Sequence, residues 1–270
     1  MKVINEISSS SCIFHPANND PAALVEAVRS LAAAGYKYVE LASHLSDGDP
    51  QGILKEIKNI DIKVWSVHGY LGMDAISPDR AVRDRAVEAA YRHAAAFAEF
   101  TPCPLVEHYL DRHNDRNVAH YFHDSIEKLY NKVSALGMIM CVETAPYKPL
   151  EYERHPDSRE IADFVRSFDS EYMQLTLDIN HSNLAETIEE AAANCRGVIK
   201  NIHVSNNYGQ KEQHLPPDDG IIDIKAAFEA LRANGYTGPC NMEFSFPGDR
   251  YPTVEKVRDA RIYMEKLLGF

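Results

Sequence analysis

Eight short apolar runs alternate with eight helix-length amphipathic segments along the whole chain. No other feature restricts the fold as much. The runs are KVINEI, YVELA, KVWSVHG, PLVEHYL, MIMCVET, MQLTLDI, VIKNIHV and CNMEFSF. Between them lie segments such as PAALVEAVRSLAAAG and VAHYFHDSIEKLYNKVSALG, several of which end in Gly, as helix C-termini often do. Strict alternation implies parallel strands joined by right-handed crossovers. At 270 residues the economical closure is α/β: a single (β/α)8 TIM barrel spanning 1–270 as one domain. A doubly wound open sheet usually carries a glycine-rich first βα turn, and this chain has none. One echo is present: LAAAGYKYVEL and LRANGYTGPCNMEF both read as helix, Gly-Tyr turn and strand ending in an acid.

The ionisable residues gather at the ends of these runs. The third run ends on His68, the fourth offers His108 and the fifth Glu143. The sixth ends in Asp178, with His181 just beyond it in the next loop. The seventh offers His203, the loop after it Glu212 and His214, and the eighth Glu243. In a barrel such strand ends share one face and converge on the axis. Strand alternation places Thr176 with Asp178, Asn201 with His203, and Asn241 with Glu243 on the inward face, while Leu177, Ile202 and Met242 pack outward.

Taken singly, a His at a strand end is usually a hydrogen-bonded core residue, and a Glu an ion-pair partner. Six consecutive strand ends of this kind are a different matter. Carboxylates brought close together repel and raise one another's pKa unless something compensates them. A divalent cation does so, because carboxylate and imidazole are its common ligands. The formal net charge of −12 argues against a broad nucleic-acid or anionic-membrane footprint. No run of about 18 apolar residues is present to span a membrane. The five scattered cysteines lack CxxC spacing and read as reduced thiols, which places the protein in the cytoplasm. The composition leaves a homo-oligomer open.

The order His, His, Glu, Asp-x-x-His, His, acid-x-His, Glu on successive strands resembles the xylose isomerase-like TIM-barrel superfamily. That superfamily holds sugar isomerases and epimerases, inosose-processing enzymes and the endonuclease IV family. The resemblance to the epimerases implies one Mn2+-type ion on Glu143, Asp178, His203 and Glu243. The resemblance to endonuclease IV implies up to three Zn2+ ions on those four together with His68, His108, His181, Glu212 and His214, with Glu143 bridging two of them. Glu212 stands where that family usually has Asp. The chain departs from the nuclease pattern after strands 3, 6 and 7, reading HGYLGMD, DINH and HVSN, and it reads HLPPDDG where both branches frequently have H-x-x-x-G-x-G.

The resemblance therefore implies a metal-dependent isomerase or epimerase of a sugar, sugar phosphate or inosose. It would act on a small polyhydroxylated carbonyl compound by proton transfer through an enediolate. Glu143 and Glu243 would be its acid–base pair, and His181, His214, Tyr70 and Arg112 its substrate contacts. The alternative is an endonuclease IV-like, Zn2+-dependent AP endonuclease or phosphodiesterase, with nucleic acid then the substrate. A metal-binding non-enzyme is disfavoured, because an open-mouthed barrel site is an unusual way to store a structural metal.

Overall fold

A computed structural model of the chain describes residues 2–14, 20–42, 50–110, 118–144 and 156–270. Its strands are β1 (Ile7–Ser10), β2 (Tyr38–Leu41), β3 (Lys63–His68), β4 (Pro104–His108), β5 (Ile139–Glu143), β6 (Met173–Asp178), β7 (Ile199–His203) and β8 (Cys240–Met242). The helices are α1 (Pro21–Ala33), α2 (Pro50–Lys58), α3 (Arg80–Ala96), α4 (Val118–Ser134), α5 (Ser158–Arg166), α6 (Ile179–Ser182), α7 (Ile188–Asn194), α8 (Ile224–Ala233) and α9 (Val254–Leu268). Every strand pair is parallel, and the sheet runs in sequence order from β1 to β7, with β8 beside β1. The ring closes where Val204 pairs with Met242 and the Val204 amide donates to the Asn241 carbonyl at 2.9 Å. The expected (β/α)8 barrel is what the chain forms.

Three local expectations differ. The first strand is not KVINEI but the serine run that follows. Val3 is 48% exposed, whereas Ser8, Ser9 and Ser10 are fully buried. Pairing to β2 on one side and β8 on the other satisfies that backbone, so this strand is fixed by its neighbours rather than by apolar side chains. The eighth strand is shorter than CNMEFSF and stops at Met242. His181 lies in the single turn of α6, not in a loop, because the Asp178 side chain caps that turn.

Alternation divides the barrel wall between two environments. Val39, Leu41, Val67, Leu105, Val142, Leu175, Leu177, Ile202 and Met242 belong to the apolar core between sheet and helices. The other face carries Glu40, Ser66, Glu143, Thr176, Asp178, Asn201, His203 and Asn241, all fully buried. Strand register then sets neighbours. Glu40 pairs with Ser66, His108 with Glu143, and Asp178 with His203.

In the segment after β7, Asn206 gathers four hydrogen bonds on its side chain. Asn206 Nδ2 donates to the carbonyls of Pro217 at 3.1 Å and Ile222 at 3.4 Å. Its Oδ1 accepts from the Asn207 and Ile222 amides, each at 2.9 Å. Gly220, at φ +151°, passes so close to Asn206 that a Cβ there would collide with it. This knot braces the loop that carries Glu212 and His214, which is also held where Asn180 Nδ2 donates to the Gln213 carbonyl at 3.1 Å and the Ser245 amide to the His214 carbonyl at 2.9 Å. Asn206→Ala leaves buried backbone groups unpaired and is expected to cost about 1–3 kcal/mol in urea denaturation. An unchanged midpoint would show that the loop is held by something else.

Candidate metal centre

The inward strand ends meet in three groups of potential ligands: Glu143, Asp178, His203 and Glu243; His68, His108 and Glu143; and His181, Glu212 and His214. Within each group the ligand atoms lie within 4.8 Å of one another. The structure thus brings together all nine residues singled out for metal binding, with Glu143 shared between two groups.

The first group is the deepest. Glu143 ends β5, and its Oε1 lies 2.7 Å from His203 Nδ1. Glu243, just past β8, brings Oε2 to 3.0 Å from the same nitrogen. Asp178 divides its two oxygens. Oδ1 accepts from the Asn180 amide at 2.6 Å and the His181 amide at 3.2 Å, and Oδ2 is left without a hydrogen bond. A carboxylate at a strand end followed by a helical turn thus caps that turn with one oxygen and keeps the other out of the cap.

The second group flanks it. His108 Nε2 lies 3.2 Å from Glu143 Oε2, and His68 Nε2 lies 3.9 Å from Glu243 Oε1. The third group sits on the other side. His181 Nδ1 lies 2.6 Å from the Thr144 carbonyl, a contact that places its proton on Nδ1 and leaves Nε2 as the donor atom. That Nε2 is 3.5 Å from Asp178 Oδ2 and 3.7 Å from Glu212 Oε1. His214 Nε2 is 3.0 Å from the same Glu212 oxygen.

Electrostatics follow from this crowding. Burial alone would raise the Glu143 carboxyl, but the His203 and His108 imidazoles outweigh it and hold it down to about 2. Glu243 is likewise held well below the usual carboxylate range by His203 against the effect of burial. Asp178 goes the other way. Burial raises it and Glu143 adds to the rise, with His181 only partly opposing. Burial would lower the imidazoles, yet Glu243, Glu40 and Glu143 push His203 well up, and Asp178 with Glu212 pushes His181 up to about 9. His214 rises to about 10 against its own desolvation, chiefly through Glu212 and Glu243. The imidazoles supply positive charge that the carboxylates need.

Whether these residues fit a cation can be judged from their unmade bonds. Glu143 Oε2, Asp178 Oδ2 and His181 Nε2 are buried and have no hydrogen-bond partner. Each such atom ordinarily costs about 1–3 kcal/mol. These three belong to the ligand groups, whereas Glu40 Oε1, Thr176 Oγ1 and Asn241 Oδ1, buried on the same inner face and likewise without a hydrogen bond, do not; carboxylate with imidazole suits Mn2+ or Zn2+. The donor set fits a divalent cation, which on loading would replace the protons now held on the imidazoles.

Tyr70 lines a mouth cavity of about 320 Å3 together with Cys12, His68, Glu107, His108 and Glu243, a size in the range of small-molecule sites. Trp65 does not reach this mouth. It donates to Asn201 Oδ1 at 2.8 Å and borders a cavity with Lys2 and Ile4 near the start of the chain. Arg112 lies outside the described residues. All five cysteines carry free thiols. Among the described residues no helix is long and apolar enough to cross a membrane.

Two carboxylates were not picked out from sequence. Glu40 occupies an inward position on β2 and contacts His203, and its only signal was the acid ending the Gly-Tyr echo. Glu107 lies on the outward face of β4, yet it is buried because the turn after β3 folds over it. Its oxygens accept from the Tyr70 amide at 3.1 Å and the Leu71 amide at 2.8 Å. Nothing in the spacing of PLVEHYL marks that role.

The family described as xylose isomerase-like TIM barrel matches residues 28–267. Among solved structures, the fold is similar to a D-tagatose 3-epimerase-like protein, with TM-score 0.79 and 16% identity over 98% of this chain and 97% of that one. It is also similar to an L-ribulose 3-epimerase, with TM-score 0.78 and 19% identity over 98% of this chain and 95% of that one. A third is the 3-keto-D-glucoside 4-epimerase of E. coli, with TM-score 0.75 and 18% identity over 97% and 100%. At these identities the likeness is one of fold. An uncharacterized protein of Methanocaldococcus jannaschii is 28% identical over 86 residues, spanning 31% of this chain and 29% of that protein. One of Sinorhizobium fredii is 32% identical over 89 residues, spanning 33% and 28%. The matched regions thus span less than a third of these curated relatives.

The geometry ranks the ligands. Asp178→Asn is expected to lower bound metal in dialysed protein more than His181→Ala does, because Asp178 belongs to the deepest group and also caps α6. Equal, negligible losses by elemental analysis would contradict that ranking.

Proposed function

The chain belongs to the xylose isomerase-like TIM barrel family, and on that premise we propose that it is a metal-dependent sugar isomerase or epimerase. Its substrate is a small polyhydroxylated carbonyl compound, and its reaction moves a carbon-bound proton. One observation carries the reading. The carboxylates of Glu143, at the end of β5, and Glu243, just past β8, reach the same imidazole nitrogen, at 2.7 and 3.0 Å. Two carboxylates converging on one small volume, with Glu243 at the wall of the mouth cavity and Glu143 buried behind it, suit removal of a proton by one and its return by the other.

Glu143, Asp178, His203 and Glu243 would hold the cation. When bound, a cation there supplies Lewis-acid stabilisation of negative charge on substrate oxygens. The protein's own residues do the rest. One of the two glutamates takes the proton α to the carbonyl, and the other delivers a proton to the opposite face or to the neighbouring carbon. His181 and His214 orient substrate hydroxyls where they do not themselves hold a second cation. Tyr70 closes one wall of the cavity. Arg112 enters as a substrate contact through its place in the sequence after β4. The names of the similar structures, all sugar epimerases or epimerase-like, support a sugar as the substrate class. The free thiols fit a reducing, cytoplasmic setting.

A second reading rests on the two outer groups. His68 with His108 and Glu143, and His181 with Glu212 and His214, add two further ligand groups beside the deepest one. A cluster of three cations would suit phosphodiester hydrolysis, in which metal ions activate water and clamp a phosphate.

Candidate sugars incubated in D2O with Mn2+ are expected to take up deuterium at carbon, read by NMR. Glu143→Gln or Glu243→Gln should reduce exchange by about 10²–10⁴-fold even where metal stays bound, since an amide cannot act as the base. An abasic-site duplex tested in parallel at low salt should stay intact. Nicking of the duplex by protein holding three Zn2+ ions, without exchange in any sugar, would transfer the proposal to the phosphodiesterase.

A further inference from the structure

Glu40 ends on the inward face of β2 and is completely buried. One of its oxygens, Oε2, gathers four neighbours. Ser66 Oγ donates at 2.7 Å, Asn241 Nδ2 at 3.1 Å and Asn201 Nδ2 at 3.4 Å, and His203 Nε2 lies at 3.0 Å. The Asn201 amide is oriented by its other end, where Trp65 Nε1 donates to Oδ1 at 2.8 Å. Its NH2 group must therefore face Glu40. An ionised carboxylate is an acceptor only, and the groups around this one are arranged as donors.

The two nitrogens of His203 consequently meet different surroundings. Nδ1 faces Glu143 and Glu243, within the deepest ligand group. Nε2 faces Glu40. A bare Nε2 at 3.0 Å from a carboxylate oxygen would set lone pair against lone pair, so Nε2 carries a proton. By the same argument Nδ1, at 2.7 Å from Glu143 Oε1 and 3.0 Å from Glu243 Oε2, carries a proton as long as no cation is there; a cation on Nδ1 would displace that proton and leave the one on Nε2.

We propose that Glu40 is a positioning residue for the metal centre: by accepting the Nε2–H of His203 it fixes the ring and its tautomer, presenting Nδ1 to the cation. The inference rests on the proposed role of His203 as a ligand, but not on the identity of the substrate. Carboxylates behind ligating imidazoles sharpen both ring orientation and ligand basicity, and their loss typically weakens metal binding 10–100-fold. Glu40 also ties strands β2, β3, β7 and β8 together beneath the site, so its two roles need separating by experiment.

The test uses full-length protein with 15N-labelled histidine, titrated with Zn2+. His203 is followed by its own side-chain signals, which are assigned by their loss in His203→Asn. In the wild type, His203 is expected to load through Nδ1 while keeping a slowly exchanging Nε2–H. In Glu40→Gln, the Zn2+ concentration that half-shifts the His203 signals should rise tenfold or more. Ser66→Ala removes a donor from the same oxygen without touching His203, and should stay within about threefold of wild type. Three results would overturn the inference: a loaded His203 with a bare Nε2, an unchanged half-point in Glu40→Gln, or equal weakening in Glu40→Gln and Ser66→Ala. The first needs only the wild type and so decides even if Glu40→Gln does not fold. A His203 that ignores Zn2+ altogether overturns this inference and the metal reading of the site together.

Discussion

Four carboxylates, Glu40, Glu143, Asp178 and Glu243, converge on the axis of one barrel, and the protein must neutralise them there. Buried charges of one sign persist only when opposite charge and donors are brought close. The chain meets this with imidazoles. His203 stands among Glu40, Glu143 and Glu243, and His181 stands between Asp178 and Glu212. The compensation is incomplete, since Glu40 Oε1, Glu143 Oε2 and Asp178 Oδ2 remain buried without hydrogen bonds. A divalent cation would supply what the imidazoles do not. Much of the local structure serves this convergence: Asn201 and Asn241 beneath the site, the Thr144 carbonyl behind His181, and the Asn206 knot that carries Glu212 and His214.

The layering of the site also bears on chemistry. The deepest group is built on strand ends, the most rigid part of a barrel, while Glu212 and His214 come from a loop. Rigid carboxylates suit a proton transfer that depends on reaching a single carbon. The outer groups lie nearer the mouth, where His108 and His214 are part-exposed, with side chains 43% and 31% accessible. These positions can meet either substrate hydroxyls or further cations. That is why one constellation admits both an isomerase and a phosphodiesterase reading.

The barrel and its ligand groups were legible in sequence because two periodicities coincide. Period-2 alternation within each apolar run assigns a face to every residue, and parallel strands of similar length bring their ends to one level. Asp178 and His203 could therefore be placed on one surface before any coordinates. The first strand was not legible in this way. Ser8, Ser9 and Ser10 show no apolar pattern, and their strand exists because β2 and β8 both need a partner. Glu40 was half-visible. The two Gly-Tyr turns that echo in sequence prove to be equivalent corners: Gly35 and Gly235 both take positive φ, Tyr36 and Tyr236 are both 1% exposed, and the strands that follow flank β1. The acids at the ends of those strands are Glu40 and Glu243. Glu107 was invisible, because its burial comes from a turn that folds back over the outward face of β4.

The central claim is that the deepest group holds a divalent cation. Anomalous diffraction from a crystal grown with Mn2+, collected near the manganese edge, tests it most directly. A strong anomalous peak bonded to Glu143, Asp178, His203 Nδ1 and Glu243, at about 2.0–2.6 Å from each, is the predicted result. Ordered protein with no peak among these four residues, or with manganese bound only elsewhere, would contradict it.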